Sequence, residues 1–136
     1  KEQKEFVINL TTKRLAKATD WCGVKTGAKV DKFKEMNLHK ENAKFVKCPM
    51  IKESPVSIEC KVKEIVELGS HHMFIADVLA INSDEKYIDD KGAFDISKCD
   101  LIAYSNGHYY ELGKKIGRFG FSVQKKQKNK KQVKKW

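Results

Sequence analysis

The stretch SIECKVKEIVELGSHHMFIADVLAI, residues 57–81, carries the strongest secondary-structure pattern in the chain. In its first half the apolar residues Ile58, Cys60 and Val62 alternate with polar ones, as in a β-strand that buries one face. The same alternation makes Cys60 a buried core thiol. The pattern then slips by one position, and this slip predicts a β-bulge near Glu64.

A tight turn at Gly69–Ser70 leads into a second strand that is apolar on both faces. This pattern predicts that Met73 to Ile81 is a central antiparallel strand, with one face on a barrel core and the other covered by a helix or a partner. His71 and His72 stand at its start. Because neighbouring side chains on a strand point to opposite faces, the pair does not favour a zinc site. The two histidines are therefore either a ligand-facing rim or the polar end of a hairpin.

The segment before this hairpin predicts one strand and two helices. The apolar alternation of Glu5 to Leu10 predicts a strand, and Thr11 or Thr12 can cap a helix that runs towards Trp21. Val30, Phe33 and Met36 have helical spacing and predict a second, short helix. Pro49 and Pro55 then mark an extended linker.

After the hairpin comes a polar excursion, EKYIDDKGAFDI, and then a short strand, Leu101 to Ser105. The end of the chain before the tail is rich in glycine and aromatic residues. The whole pattern predicts a mostly antiparallel β-protein with two or three helices, a small β-barrel with peripheral helices. At 136 residues with 40% hydrophobic residues, the chain is expected to form one domain.

The net charge of +10 belongs mainly to one end of the chain. The tail from Gln124 to Trp136 holds seven lysines and no acidic residue, so the rest carries only +3. Residues 125–136 are predicted to be a disordered, solvated tail. Because the tail lacks arginines and interleaved aromatic residues, nucleic acid is not the expected partner.

The remaining composition favours a cytoplasmic protein. No apolar run is long enough to span a membrane, and no leader-like segment opens the sequence. The four cysteines are widely spaced and form no C-x-x-C pair, which fits a reducing compartment and no metal site.

The segment CGVKTG, residues 22–27, is a candidate for binding anions. Gly23 and Gly27 permit a tight backbone, Lys25 adds a positive charge, and Thr26 offers a hydroxyl group. These groups suit a phosphate or the phosphates of a dinucleotide. The segment is not a nucleotide-triphosphate P-loop, and on spacing alone a connecting turn with Lys25 as a surface lysine is the better interpretation.

Three motifs in this order resemble the flavin reductase-like, FMN-binding split-barrel family, and specifically its flavoredoxin branch. They are DWCGVKTGAKVDKF, VELGSHHMFIADV and LIAYSNGHYYELGKKIGRFGFS, and the resemblance runs from Glu5 to about Lys125. It implies a six-stranded antiparallel Greek-key split barrel, a homodimer, and non-covalent FMN near the dimer interface. Members pass electrons between NAD(P)H and flavin, or between FMN and another acceptor.

The resemblance also implies that the chain matches only part of the family domain. Members carry a further segment with the first barrel strands before the strand that matches Glu5 to Leu10. Residues 1–124 are therefore expected to be about the C-terminal two-thirds of a split-barrel domain that lacks its first strands.

The resemblance assigns functions to particular residues. In the family pattern G-x-H-x-x-x-x-G-x-V, His71 takes the place of the histidine beside the flavin and the nicotinamide, and Ala76 stands where glycine is usual. Asn9 and Leu10 would offer backbone groups to FMN. Tyr104 and Tyr109 would stack on the flavin or donate hydrogen bonds to it.

The anion-binding candidates Gly23, Lys25, Thr26 and Gly27 join this cofactor set. His71 is the expected catalytic residue, and His72 is expected to be the polar end of the hairpin. No metal ligand is expected.

Three functions remain open at this point. The first is an NAD(P)H-dependent FMN oxidoreductase, with a redox partner protein as a further possibility. The second is an FMN-binding electron carrier without nicotinamide turnover. The third is a flavin-free dimerisation or basic binding module.

Overall fold

The structure is a computed structural model that describes residues 3–124, so the tail predicted for residues 125–136 lies outside the described residues. The described part is mostly strand, as the sequence predicted. The strands are β1 (Glu5–Asn9), β2 (Lys40–Glu41), β3 (Met50–Ile51), β4 (Val56–Leu68), β5 (His71–Ser83), β6 (Ile102–Ser105) and β7 (His108–Glu111). The helices are α1 (Ala16–Val24) and α2 (Lys32–Glu35).

The strands form antiparallel sheets in the order β1-β4-β5, β2-β3 and β6-β7. An isolated bridge between Thr12 and Leu101 connects the segment after β1 to the C-terminal hairpin. These antiparallel sheets with few helices agree with the prediction of a mostly β-protein.

The β4–β5 hairpin confirms the prediction of a bulge near Glu64, where the register shifts between Val62 and Glu64. A second shift, between Glu59 and Cys60, lies opposite Leu79 and had no clear signal in the sequence. Gly69 has a φ of 76°, a left-handed backbone conformation that glycine adopts without strain. The turn residue was therefore identified correctly.

The prediction that Met73 to Ile81 forms a central strand is wrong for the described sheet. The central strand is β4, and β5 is hydrogen-bonded on one side only. Apolar residues on both faces do not distinguish a central strand from an edge strand whose faces are open. Met73, Phe74 and Val78 are all about half exposed in this structure.

The N-terminal helix begins where the sequence placed it. Thr12 caps a 3-10 turn at Lys13–Leu15 by accepting from the backbone N–H of Leu15, and α1 follows directly. The second predicted helix is only a single turn, α2, capped by the Asp31 side chain. The predicted linker between the two prolines contributes the short strand β3.

A buried carboxylate holds the segment before β3 against the central sheet. Glu59 on β4 is fully buried, and its side chain accepts hydrogen bonds from the backbone N–H groups of Lys44, Phe45 and Val46 at 2.6–3.1 Å. Asn82 Nδ2 on β5 donates a fourth, at 2.9 Å. Burial by itself would raise the pKa of Glu59, but the four donors together hold the pKa below its ordinary value.

The apolar core of the described residues lies at this same end of the hairpin. Its buried side chains are Leu15, Val46, Met50, Val56, Cys60 and Cys99. The prediction of a core thiol at Cys60 is confirmed, and burial raises the pKa of this thiol. Within residues 3–124, no helix has the length and apolar character needed to cross a bilayer.

Candidate functional site

Two predicted flavin residues lie side by side on the C-terminal hairpin. Tyr104 on β6 and Tyr109 on β7 are directly paired across the strands, with ring centroids 5.0 Å apart and planes inclined at 56°. The Tyr104 ring is 66% exposed and so presents a face to solvent. Aromatic rings in this arrangement offer a stacking surface for a planar ligand.

The tyrosine pair is attached to α1. The Tyr109 hydroxyl group donates a hydrogen bond to Asp20 Oδ1 at 3.3 Å. Partial desolvation and the neighbouring Asp20 carboxylate raise the pKa of Tyr109, so it stays a hydrogen-bond donor at neutral pH. This contact joins the hairpin to the helix that ends at the predicted anion-binding loop.

The loop after α1 offers a lysine side chain to an anion, but its backbone N–H groups do not form a dedicated anion-binding site. α1 ends at Val24, and the Lys25 N–H still donates to the Trp21 carbonyl at 3.0 Å. Thr26 Oγ1 accepts from the Ala28 N–H at 3.4 Å, within a turn. Because the C-terminal end of a helix carries a partial negative charge, a phosphate bound at this loop would depend on the Lys25 side chain rather than on the helix.

The two glycines of this loop are not required by the backbone. A Cβ at Gly23 meets nothing within 4 Å, and one at Gly27 lies 3.8 Å from the Lys32 side chain, an ordinary contact. Their assignment to the cofactor therefore rests on the family resemblance alone.

The residues at the end of β1, which are predicted to contact FMN, also make hydrogen bonds that stabilise the fold. Asn9 Oδ1 accepts from the Ile51 N–H and from the Ser57 hydroxyl group, both at 2.9 Å. The Leu10 N–H donates to the Val56 carbonyl, and the Leu10 carbonyl accepts from the Ser54 hydroxyl group. Both backbone groups of Leu10 are thus already paired inside the protein, and a ligand there would share them.

We call the predicted residues at the end of β1, after α1 and on the β6–β7 hairpin the base cluster: Asn9, Leu10, Lys25, Tyr104 and Tyr109. The Ile102 N–H donates to the Thr11 carbonyl at 3.2 Å, which fixes β6 beside the end of β1. A contact between the Lys13 ammonium and the Glu111 carboxylate adds a second link and raises the pKa of Lys13.

The predicted catalytic residue His71 lies far from Asn9, at the other end of the β4–β5 hairpin. Asn9 is paired with Ser57 at the start of β4, whereas His71 is paired with Leu68 at its end. The eleven residue steps from Ser57 to Leu68 correspond to roughly 30–36 Å along the strand. One FMN molecule cannot contact both positions in the same copy of the chain.

The two histidines occupy opposite faces of the hairpin. His71 Nδ1 lies 2.8 Å from the Ser70 hydroxyl oxygen, while His72 Nε2 lies 3.3 Å from Glu67 Oε1. Because successive side chains of a strand point to opposite faces, His72 lies on the same face as Phe74, and His71 lies on the same face as Met73. The sequence-based expectation of opposite faces is therefore met.

An open groove of about 670 Å³ lies on the His72 face. Its apolar floor is formed by Phe6, Val62, Ile65 and Phe74. The volume is in the range of small-molecule sites. The groove is therefore not on the face of the predicted catalytic histidine.

A second cleft, of about 660 Å³, opens beside the end of β1 and is lined by polar groups. His39 and Glu53 meet there: the carboxylate of Glu53 contacts both His39 Nδ1 and the His39 N–H. Burial alone would raise the pKa of Glu53, but these contacts with His39 lower it. Nothing in the sequence pattern pointed to this pair, since the two residues meet only through the β2–β3 pairing.

Across residues 3–124, no three His, Cys, Asp or Glu side chains gather in a way that could hold a metal ion. Asp20, which anchors Tyr109, was also missed from sequence, because a contact between residues so far apart along the chain has no local signal.

The fold has close counterparts among solved structures. The flavoredoxin of Desulfovibrio vulgaris (Miyazaki F) is 26% identical with a TM-score of 0.83, and the flavoredoxin from Methanosarcina acetivorans is 30% identical with a TM-score of 0.76. Each match covers 90% of this chain and 67% of the other. A Shewanella frigidimarina protein described as a flavin reductase with a split barrel domain shares the fold at 20% identity and a TM-score of 0.73, over 85% of this chain and 59% of the other.

The chain spans about half the length of the curated relatives it matches, covering 56% and 51% of two of them. Its residues 1–113 match the flavin reductase like domain. The sequence motifs, the antiparallel fold and these similarities agree, and the chain belongs to the flavin reductase like domain family.

Proposed function

We propose that the chain belongs to an FMN-binding oxidoreductase that passes electrons between NAD(P)H, flavin and an acceptor. The observation that carries this proposal is the base cluster, in which an exposed tyrosine pair contacts the helix that leads into the lysine-bearing loop. The similarity to two flavoredoxins supports the choice of a flavin as the ligand.

The base cluster and the adjacent Thr26 fit FMN. The exposed Tyr104 ring suits one face of an isoalloxazine, the Lys25 ammonium group suits a phosphate, and the Thr26 hydroxyl group can donate to it. A bound FMN would supply the hydride and one-electron chemistry itself. The protein's part is to orient the ring, to neutralise the phosphate and to provide hydrogen-bond donors near the polar edge of the ring.

The role of each residue follows from its chemistry. Tyr109, fixed by Asp20, holds Tyr104 in position through their ring contact. Lys25 supplies a positive charge to a phosphate and takes no part in proton transfer. The His71 imidazole can donate a hydrogen bond, and we assign it to the substrate side of a flavin held in a homodimer.

We also propose that the protein is a homodimer and that it is located in a reducing compartment. Met73, Val78 and Ile81 of β5 are about half exposed or more, and a second copy of the chain would cover such a strand. All four cysteines are free thiols in the structure, which suits the cytoplasm.

Reconstitution tests the proposal. The purified chain is mixed with FMN, and the flavin absorbance and fluorescence are followed to saturation, beside the variants Lys25→Ala and Tyr104→Ala. Both substituted side chains are exposed, so both variants are expected to fold and to bind FMN more weakly. A parent chain whose addition leaves the flavin spectrum unchanged would contradict the proposal.

The flavoredoxin similarity favours one alternative, an FMN-binding electron carrier without nicotinamide turnover. Anaerobic mixing of the flavin-loaded protein with NADH and, separately, with NADPH distinguishes the two. Rapid bleaching of the flavin band by either nucleotide indicates a reductase. Bleaching by a chemical reductant alone indicates a carrier.

A further inference from the structure

The polar cleft of about 660 Å³ lies between the two-stranded β2–β3 ribbon, the 3-10 turn after β1 and the 3-10 turn after β5. The buried residues Met50, Pro55 and Ser57 line it, and so does the half-buried Tyr87. None of the residues assigned above to the flavin lines this cleft. Its volume is in the range of small-molecule sites, so it is a candidate for a second ligand.

The β2–β3 ribbon presents one of its two faces to the cleft. Glu41 is paired with Met50, and the Lys52 N–H donates to the His39 carbonyl, so these four residues share a face. Lys40 stands between His39 and Glu41 and points to the other face. The four residues of the first face all line the cleft, and Lys40 does not.

The charged side chains that line the cleft are balanced in sign. With histidine counted as neutral, the formal charges cancel between three basic side chains and three carboxylates: Arg14, Lys52 and Lys86, against Glu41, Glu53 and Asp84. An ion of a single sign gains little from such a cleft, because each attraction is offset by a repulsion nearby. A molecule that carries one positive and one negative group is attracted at both ends.

Four of these lining side chains are engaged in pairs. Lys86 Nζ lies 2.7 Å from Asp84 Oδ2, and this hydrogen bond lowers the pKa of Asp84. The Glu53 carboxylate contacts the backbone N–H and the Nδ1 atom of His39. Nε2 is therefore the ring nitrogen of His39 that remains for a ligand.

The remaining charged groups of the cleft are Arg14, Lys52 and Glu41. All three side chains are exposed, and none has an ion-pair partner among the residues that the structure describes. Glu41 and Lys52 are diagonal neighbours on the ribbon, which places their Cβ atoms about 7 Å apart. A small molecule can therefore lie between them, with a carboxylate on Lys52 and an ammonium group on Glu41.

We propose that this cleft binds a small zwitterion, an α-amino acid or a short peptide. Lys52 and Arg14 hold its carboxylate, and Glu41 holds its ammonium group. An apolar side chain of the ligand lies against Met50 and Tyr87. Binding here needs no flavin, so this site is independent of the FMN-binding function proposed above.

Isothermal titration calorimetry of the full chain without FMN tests this site. The probes are L-leucine, L-phenylalanine and leucyl-phenylalanine, each beside its N-acetyl form, which lacks the ammonium group, and its carboxamide form, which lacks the carboxylate. At least one zwitterion is expected to bind with a Kd of about 1 mM or below, and both of its derivatives at least about tenfold more weakly. Absence of binding by all three zwitterions would overturn the proposal, and so would equal binding of the N-acetyl form.

Two single substitutions assign the two ends of the ligand. Glu41→Gln should weaken binding of the zwitterion about tenfold and leave the N-acetyl form unchanged, because that form has no ammonium group to lose. Lys52→Gln should likewise weaken the zwitterion and leave the carboxamide form unchanged. Unchanged zwitterion affinity in both variants would overturn the assignment.

The matched control is Lys40→Gln, which removes a positive charge from the opposite face of the same ribbon. The Lys40 ammonium group lies 5.0 Å from the centroid of the Phe33 ring, away from the cleft, so parent affinity is expected. Thermal unfolding of each variant checks that the fold is kept. If Lys40→Gln weakens the zwitterion as much as Lys52→Gln does, the attraction is a general effect of net charge, and the site is overturned.

Discussion

Tyr109 donates its hydroxyl hydrogen bond to Asp20 at 3.3 Å, and this contact ties the C-terminal hairpin to α1. It links two segments that the family resemblance assigned separately to the cofactor. We therefore expect the hydrogen bond to influence how Tyr104, the partner of Tyr109 across the hairpin, is presented to a ligand.

Tyr109→Phe keeps the ring and removes this hydrogen bond. We expect FMN affinity to fall about three- to tenfold, since one hydrogen bond contributes about 0.5–1.5 kcal/mol. The measurement is a fluorescence titration with FMN. Tyr110→Phe is the matched control, because the Tyr110 ring lies on the other face of the hairpin. Equal affinities for the two variants would show that the Asp20 contact does not position the site.

Glu59→Gln probes the buried carboxylate that holds the segment 43–46. A glutamine amide brings N–H groups towards backbone N–H donors, so at least one of the four hydrogen bonds is lost in a fully buried place. We expect the free energy of unfolding to fall by about 2–4 kcal/mol. Urea denaturation of both proteins at pH 7 measures this difference.

The pH dependence of this effect has a definite sign. Because the pKa of Glu59 is lower in the folded than in the unfolded protein, its stabilisation is complete above the unfolded pKa, about 4.3. It is lost as the pH falls below that value through the folded pKa. The parent should therefore lose more stability than Glu59→Gln between pH 5 and 3, and parallel curves would contradict this.

The structural features that the sequence predicted correctly are those determined by residues close together in the chain. The alternation around Cys60, the turn at Gly69 and the cap at Thr12 each depend on neighbours in the chain, and each is confirmed. The strand β7 was missed although Asn106-Gly107, both with positive φ, is a typical hairpin turn.

The remaining features depend on contacts that periodicity cannot encode. The sequence could not show that β5 is an edge strand, because both faces of an edge and of a central strand can be apolar. It grouped His71 with Asn9 because the family assigns both to one cofactor. Only the register of β4 reveals that they stand at opposite ends of the sheet.

Deleting residues 125–136 tests the prediction that the lysine tail is dispensable. Every residue assigned above to the flavin site precedes the tail, so we expect unchanged sedimentation and unchanged FMN affinity at physiological salt. At low salt the seven lysines add a long-range attraction for phosphate, and a modest loss of affinity is expected there. A loss of dimers on deletion would show that the tail takes part in assembly.

His71→Ala and His72→Ala together test which face of the hairpin meets the flavin. A hydrogen bond from an imidazole to a charged or polarised group is worth about 1.5–3 kcal/mol, so losing it should weaken FMN binding or slow flavin reduction roughly ten- to hundredfold. His72 is turned to the opposite face beside Glu67, and its removal should change either quantity by less than about threefold.

The measurements are an FMN titration and a stopped-flow trace of flavin reduction for both variants and the parent. Thermal unfolding of each variant separates a local effect from a loss of fold, and both are expected to unfold near the parent because both residues are exposed. A larger effect at His72 would mean that the ligand lies on the groove face with Phe74. Small, equal effects would leave both histidines as the polar end of the hairpin, with the flavin held by the base cluster alone.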